Sequence, residues 1–279
     1  GNSLTYPETA LTKIKDGSDP INYPDTNWWN AVAKDWATNT EHSLAISGGN
    51  EKIFFYSSAQ YMYQDVIYKN SPQNYNQYQF STNLDAKITK AIKFGFDILG
   101  RQTVDNRGVR TTEDLFSYFL TTSPMSAPYY PNGLLRTGYD GITNNAVLMV
   151  SDLPGTSKTT NNTLNLKPKI RIDLDVITPG LYAEGYAALD YTFNNGKTTN
   201  TSYDIYSYDS VSGEYTNQRD ATGSVSVSSW SSNSSSITLN VRIGYSHLFN
   251  NAHQINAFVA YEQNKYHYNY LYGYRTNFV

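Results

Sequence analysis

From residue 78 the chain reads YQFSTNLDAKI. Parity divides this stretch: Tyr78, Phe80, Leu84, Ala86 and Ile88 fall on one side, and Gln79, Ser81, Asn83, Asp85 and Lys87 on the other. A period of two marks a strand whose two faces meet different surroundings. After a three-residue break the alternation resumes, with Ile92, Phe94, Phe96 and Ile98 opposite Lys93, Gly95, Asp97 and, further on, Arg101. Two runs joined this tightly predict a hairpin. The pattern recurs along the chain. Leu44 and Ile46 precede the Ser-Gly-Gly-Asn stop at 47–50, and Ile53, Phe55, Ala59 and Tyr61 share a face within 52–66. Ile170, Ile172, Leu174 and Val176 oppose Lys169, Arg171, Asp173 and Asp175. Past Thr178-Pro179-Gly180 come Leu181, Ala183, Ala187, Leu189, Tyr191 and Phe193, then Ile237 to Tyr245 and Ile255 to Tyr261. The prediction is an all-β, antiparallel up-and-down meander of about eight strands.

Alternation alone fits a soluble sheet lying on its own core and equally a barrel whose apolar face meets lipid. The connections separate the two. They are tight near 48–51, 89–91, 178–180 and 249–253, and long near 66–75, 107–162 and 195–235. Strict alternation of short and long is the habit of outer-membrane barrels, with short periplasmic turns and long extracellular loops. Within the first very long loop, residues 111–120 predict a short helix. Thr112 can cap it, Glu113 and Asp114 fill its first turn, and Leu115, Phe116, Phe119 and Leu120 recur at helical spacing. The Ser-rich run 224–236 is expected to be a partly mobile loop segment.

Composition narrows the partners. The 279 residues carry a net charge of −3, so no basic surface suggests nucleic acid. Only 16% of residues are charged and 26 are Tyr, a balance that suits sheets and polar loops. The absence of cysteine excludes disulfides, thiolate metal sites and Cys nucleophiles. No apolar run approaches the roughly 20 residues of a spanning helix. Residues 1–20 lack the charged and apolar regions of a signal peptide, so an internal piece or a processed form is expected.

Several stretches resemble a known family: NWWNAV at 27–32, HSLAISGGNEK at 42–52, FYSSAQYMYQDVIYKNS at 55–71, the 78–98 hairpin, LTTSPMSAPYYPNG at 120–133, 158–191 and HQINAFVAYEQ at 253–263. Together these resemble the first part of the barrel in SusC-type TonB-dependent outer-membrane transporters. The resemblance implies a piece of a 22-stranded transmembrane barrel with residues 1–39 leading into it and 40–279 forming part of its wall. It also implies import of glycans, or sometimes peptides, beneath a SusD-like surface lipoprotein, with energy from the TonB complex acting through a plug. The 279 residues contain no plug, no TonB box and no carboxypeptidase-regulatory-like domain, so this stretch alone is expected to transport nothing.

Candidate chemistry was weighed against plainer roles. Asp173 and Asp175, two apart on one strand face, lie about 6–7 Å apart, a spacing compatible with a glycosidase pair. A hydrated, charge-balanced lumen wall explains them as well, together with Asp85, Lys87, Lys93, Asp97, Lys169 and Arg171, and is preferred. No catalytic residue, cofactor or metal site is expected: His42, His247, His253 and His267 lack metal-motif spacing. For ligand contact the candidates are loop aromatics, because sugar C–H faces lie on rings while neighbouring polar groups bond the hydroxyls. These are Tyr129, Tyr130, Tyr139, Tyr206, Tyr208, Tyr215 and Trp230. Trp28, Trp29 and Trp36 are expected to anchor the leading segment at the membrane interface. The rival readings are a soluble β-rich carbohydrate-binding module or adhesin and, third, a glycoside hydrolase.

Overall fold

The computed structural model describes residues 7–110, 112–137, 145–219 and 223–278. Eight strands form one antiparallel sheet: β1 (Asn39–Gly49), β2 (Ile53–Asp65), β3 (Asn74–Lys87), β4 (Ile92–Gly108), β5 (Gly155–Asp173), β6 (Leu181–Thr201), β9 (Ser224–Phe249) and β10 (His253–Phe278). Spatial order follows chain order, apart from a small hairpin of β7 (Tyr206–Tyr208) and β8 (Tyr215–Asn217) set into the β6–β9 connection. The all-β meander expected from parity is what forms.

Pairing register carries the parity of each strand to its neighbour, so like residues line up in rows across the sheet. Thr82, Ile98, Leu166, Leu189 and Ile237 stand opposite one another in sequence, and so do Ala86, Phe94, Ile170, Gly185, Val241 and Tyr261. Between these two rows, one strand position from the second, runs Asp85, Gly95, Lys169, Tyr186, Asn240 and Glu262 on the opposite face. The β5–β6 register breaks off at Pro168, which has no N–H to give, and resumes unchanged at Lys169.

The apolar face is bare. Leu44 is 74% exposed, Ile243 57% and Val259 80%, and no described element lies across them. Along β6 this face stays apolar from Leu181 to Phe193. That is about 40 Å of strand, or about 30 Å of height at a tilt near 40°, which matches the hydrocarbon thickness. Aromatic residues gather where the band ends: His42, Tyr61 and Tyr78 at one margin, with rings 6.4 and 5.1 Å apart, and Tyr245, His247 and Phe249 at the other. No helix among the described residues is long and apolar enough to cross a membrane.

The tight turns close with their own side chains. Asn50 Oδ1 accepts from the Lys52 and Ile53 amides, and Thr89 Oγ1 from those of Ala91 and Ile92. Asn250 and Asn251 take the left-handed conformation in the last turn. At the far end the loops assemble a core of their own. Trp28 and Val32 from α2 (Trp28–Val32), Leu115 from α3 (Thr112–Thr121), and Leu148, Met149 and Val150 from α4 (Ala146–Val150) pack with Tyr68, Leu135, Tyr203 and Ile205. A further helix, α1 (Glu8–Asp16), precedes α2. Asn145 joins the pieces: its Oδ1 caps α4, while its Nδ2 donates to the Pro128 and Arg136 carbonyls.

The helix expected over 111–120 forms as α3, and two expectations change. The Ser-rich run 224–236, expected as a loop, is the first half of β9, because small hydroxyl side chains leave its backbone free to pair with β6 and β10. With that run paired, β9 and β10 reach 26 residues each. Trp28 is no membrane anchor but a core residue of the loops, its indole N–H donating to the Ser123 carbonyl at 3.0 Å.

Leu148→Ala empties a site with no solvent exposure and is expected to loosen the loop core by about 2–4 kcal/mol. Limited proteolysis of the full-length protein should then cut faster within 108–155, with the strand signal in circular dichroism unchanged.

Candidate functional site

The polar face of the sheet changes character along its height. Near the tight turns it is charged. Lys169 Nζ lies 3.1 Å from Asp97 and 3.5 Å from Asp85, and Lys93 lies 2.8 Å from Asp173. Arg171 joins Asp173 at 2.9 Å to Glu184 at 3.1 Å, and Arg242 closes on Glu184 at 3.2 Å. The pairs fall into two neighbouring groups, Asp85, Asp97 and Lys169 across β3, β4 and β5, and Lys93, Asp173, Arg171, Glu184 and Arg242 across β4, β5, β6 and β9. Together they floor a concavity of about 660 Å³. Gly95 makes the crossing possible: a Cβ there would sit 2.1 Å from Lys169 Cε, so the missing side chain is the channel through which the lysine passes over β4 to Asp85.

All the expected wall residues of strands β3 to β5 lie on this face. Asp85, Lys87, Lys93, Asp97, Lys169, Arg171 and Asp173 share it by register. Asp175 differs: it lies past the end of β5, and its Oδ1 accepts from the Gly180 amide at 2.7 Å, so it closes the β5–β6 turn. The carboxylate pair considered for glycosidase chemistry is thereby divided, one member ion-paired and the other a turn cap. Among the described residues no group of His, Asp and Glu is placed to hold a metal.

Toward the long loops the same face becomes neutral. On β6 and β9 it presents Thr192, Asn194, Ser232 and Ser234, with Asp190 bonded to Asn165 at 2.5 Å. Trp230 occupies the place left by Gly196, where an added Cβ would lie 2.2 Å from the indole nitrogen, and its ring stacks on Tyr270 at 6.1 Å and 18°. The expected loop aromatics come together only in part. Tyr130, Tyr208 and Tyr215 pack around one another with centroids 5.0–6.3 Å apart, and Arg136 lies over Tyr130 at 5.1 Å. Burial pushes the Tyr130 hydroxyl above its ordinary pKa. Tyr206 ties the β7–β8 hairpin to the preceding loop through backbone bonds to Leu135 and Thr137. Tyr129 is half exposed beside this cluster, and Tyr139 lies outside the described residues. Sequence reasoning passed over Tyr266, Tyr268, Tyr270 and Tyr272 on β10, although their spacing of two in YHYNYLY was a legible signal.

Three solved chains share this architecture. The RagAB peptide transporter matches 93% of the chain and 28% of its own length, with a TM-score of 0.71 and 18% identity. The RagAB peptide importer matches the whole chain in its closed-closed state, at a TM-score of 0.70 and 17% identity, and in its open-open state, at 0.71 and 18%. The chain has the fold of part of these solved transporter chains. In sequence, TonB-dependent receptor P26 of Formosa agariphila is 30% identical over 81 residues. Those residues are 29% of this chain and 8% of that receptor, and the chain spans 28–32% of the solved transporters. No family model matches. The resemblance seen in the sequence motifs thus holds, and the relatives are named as receptors and transporters, not as enzymes.

Exposed ion pairs contribute little singly, so Lys169→Ala is expected to change stability by no more than about 1 kcal/mol. Gly95→Ala should cost more while Lys169 is present and much less in the Lys169→Ala background. Unfolding midpoints of the four proteins of this cycle, in detergent, measure the coupling; additive effects would remove Gly95 from its role as the lysine's channel.

Proposed function

We propose that this chain is part of the barrel wall of a SusC-like, TonB-dependent outer-membrane importer, with residues 1–39 leading into the wall and 40–279 forming it. The observation that carries this reading is the bare apolar face, about one bilayer thick, backed by a face of charged and hydroxylic residues. A soluble module or adhesin would bury its apolar rows in a core of its own. Here the buried cluster lies instead among the loops at the end of the sheet. The apolar rows face outer-membrane lipid, and the polar face lines the lumen.

In the intact protein the role is nonenzymatic. A glycan or similar polymer is captured at the loop end beneath a SusD-like lipoprotein. Energy from the TonB complex then displaces a plug and frees the route along the polar face. The ion pairs serve that route as a wet, charge-balanced wall: arginine and lysine are matched to carboxylates across neighbouring strands, so the wall holds its charges without drawing in one sign of solute. The RagAB relatives are peptide transporters, and a peptide cargo is the alternative within the same mechanism.

The test is uptake by host cells of a fluorescent neutral oligosaccharide and of a labelled peptide of similar mass. Deleting the parent gene should abolish entry of one of them, as should collapse of the proton gradient. Entry of both, unchanged after deletion, would sink the proposal. Oligosaccharide dependence identifies the glycan reading, and peptide dependence the alternative.

A further inference from the structure

We propose that the inner edge of β10 at the loop end of the sheet is a binding track for a neutral, linear oligosaccharide. Even-numbered residues of β10 point to the polar face and odd-numbered ones to the other, by register with β9. Tyr266, Tyr268, Tyr270 and Tyr272 therefore stand in one file on the polar face. Successive rings in such a file are about 6–7 Å apart, so four of them cover about 20 Å.

Neither lipid nor packing calls for that file. On β10 the apolar band ends near Tyr261, and beyond it the outer face carries Gln263, Lys265, His267 and Asn269, with Leu271 as its one large apolar residue up to Gly273. Both faces stand in water at this height, yet the aromatic residues occupy one face only. The floor beside the file is built from short polar groups: Ser234 and Thr192 share a row with Tyr268, and Asn194 shares one with Tyr270. Trp230 rises from this floor and stacks on Tyr270.

The chemistry selects the occupant. Rings present flat apolar surfaces to the C–H faces of pyranoses, and hydroxyls and amides beside them exchange hydrogen bonds with sugar hydroxyls. From Asp190 to the loop end, the described side chains on the inner face of β6, β9 and β10 include no Lys or Arg. An acidic glycan would find no counter-charge there. A neutral chain with alternating apolar and hydroxylic surfaces fits both the rings and the uncharged floor beside them. The inference rests on the reading of this face as the lumen wall.

The test uses the full-length transporter in detergent, titrated calorimetrically with maltohexaose, cellohexaose and mannohexaose, and with hexa-alanine for comparison. At least one sugar is expected to bind. Tyr268→Ala and Tyr270→Ala should each weaken it about tenfold, whereas Tyr268→Phe and the outward Val259→Ala leave it within about threefold. Binding of none of the sugars, equal binding by the alanine variants, or tyrosine-dependent binding of hexa-alanine overturns the track. The lumen reading is checked separately with single cysteines in a cysteine-free background. A membrane-impermeant maleimide should label position 260 and spare 259. The reverse pattern overturns the lumen reading and the track together, while the expected pattern with sugar affinity indifferent to the tyrosines overturns the track alone.

Discussion

A strand in hydrocarbon has no water to satisfy its N–H and C=O groups, so each must bond to a neighbouring strand. With the sheet read as a stretch of membrane wall, as proposed, the features of its strands and tight turns answer to that constraint. Pairing fixes register, register fixes which residues share a row, and a slip of one position would turn Ile98 inward and Asp97 toward lipid. The turn side chains act at this level: Asn50, Thr89 and Asp175 bind backbone amides at the joins and so set where each hairpin begins. Pro168 shows the tolerance of the system. It removes one donor in mid-sheet, and the pairing that stops at Leu166 resumes in the same register at Lys169.

Once the rows are fixed, the polar face can gather charge without instability. Individual exposed pairs are worth on the order of 1 kcal/mol or less. Their contribution here lies in position: Lys93, Lys169, Arg171 and Arg242 each reach a carboxylate on the same or an adjacent strand, and they are matched by Asp85, Asp97, Asp173 and Glu184. Lys169 bonds Asp97 on the neighbouring strand and reaches Asp85, two strands away, because Gly95 stands between Lys169 and Asp85 in the row. The loop end follows different physics. There is no lipid, the connections are long, and segments from 28 to 205 bury Leu115, Leu148 and Ile205 against one another as any soluble protein does.

What was legible in the sequence follows from this division. Rows such as Ile170, Ile172 and Leu174 could be read because one face of a membrane strand must be apolar, and that demand leaves a period-two trace. The Ser-rich half of β9 leaves no such trace, since both of its faces are wet; its strand nature comes from pairing with β6 and β10, which a single sequence does not display. Trp28 was misplaced for a related reason: an indole near a membrane strand suits an interface, and only tertiary contact with Ser123 and the loop core reveals otherwise. Of the loop aromatics expected to touch ligand, Tyr130, Tyr208 and Tyr215 pack on one another, a clustering that no spacing in a single sequence displays.

Tyrosine serves three physical purposes in this chain, and location tells them apart. At the margins of the apolar band, Tyr61, Tyr78 and Tyr245 place a ring against the band and a hydroxyl toward water, as Tyr61 does by donating to Asn76. In the loops, Tyr130, Tyr208 and Tyr215 hold the β7–β8 hairpin onto the preceding connection, with Arg136 over one ring. On the inner edge of β10 neither purpose applies: the file stands beyond the band and projects from one face of a strand whose other face is mostly polar. Four rings in succession beside a neutral hydroxylic floor form the surface on which the proposed sugar would lie.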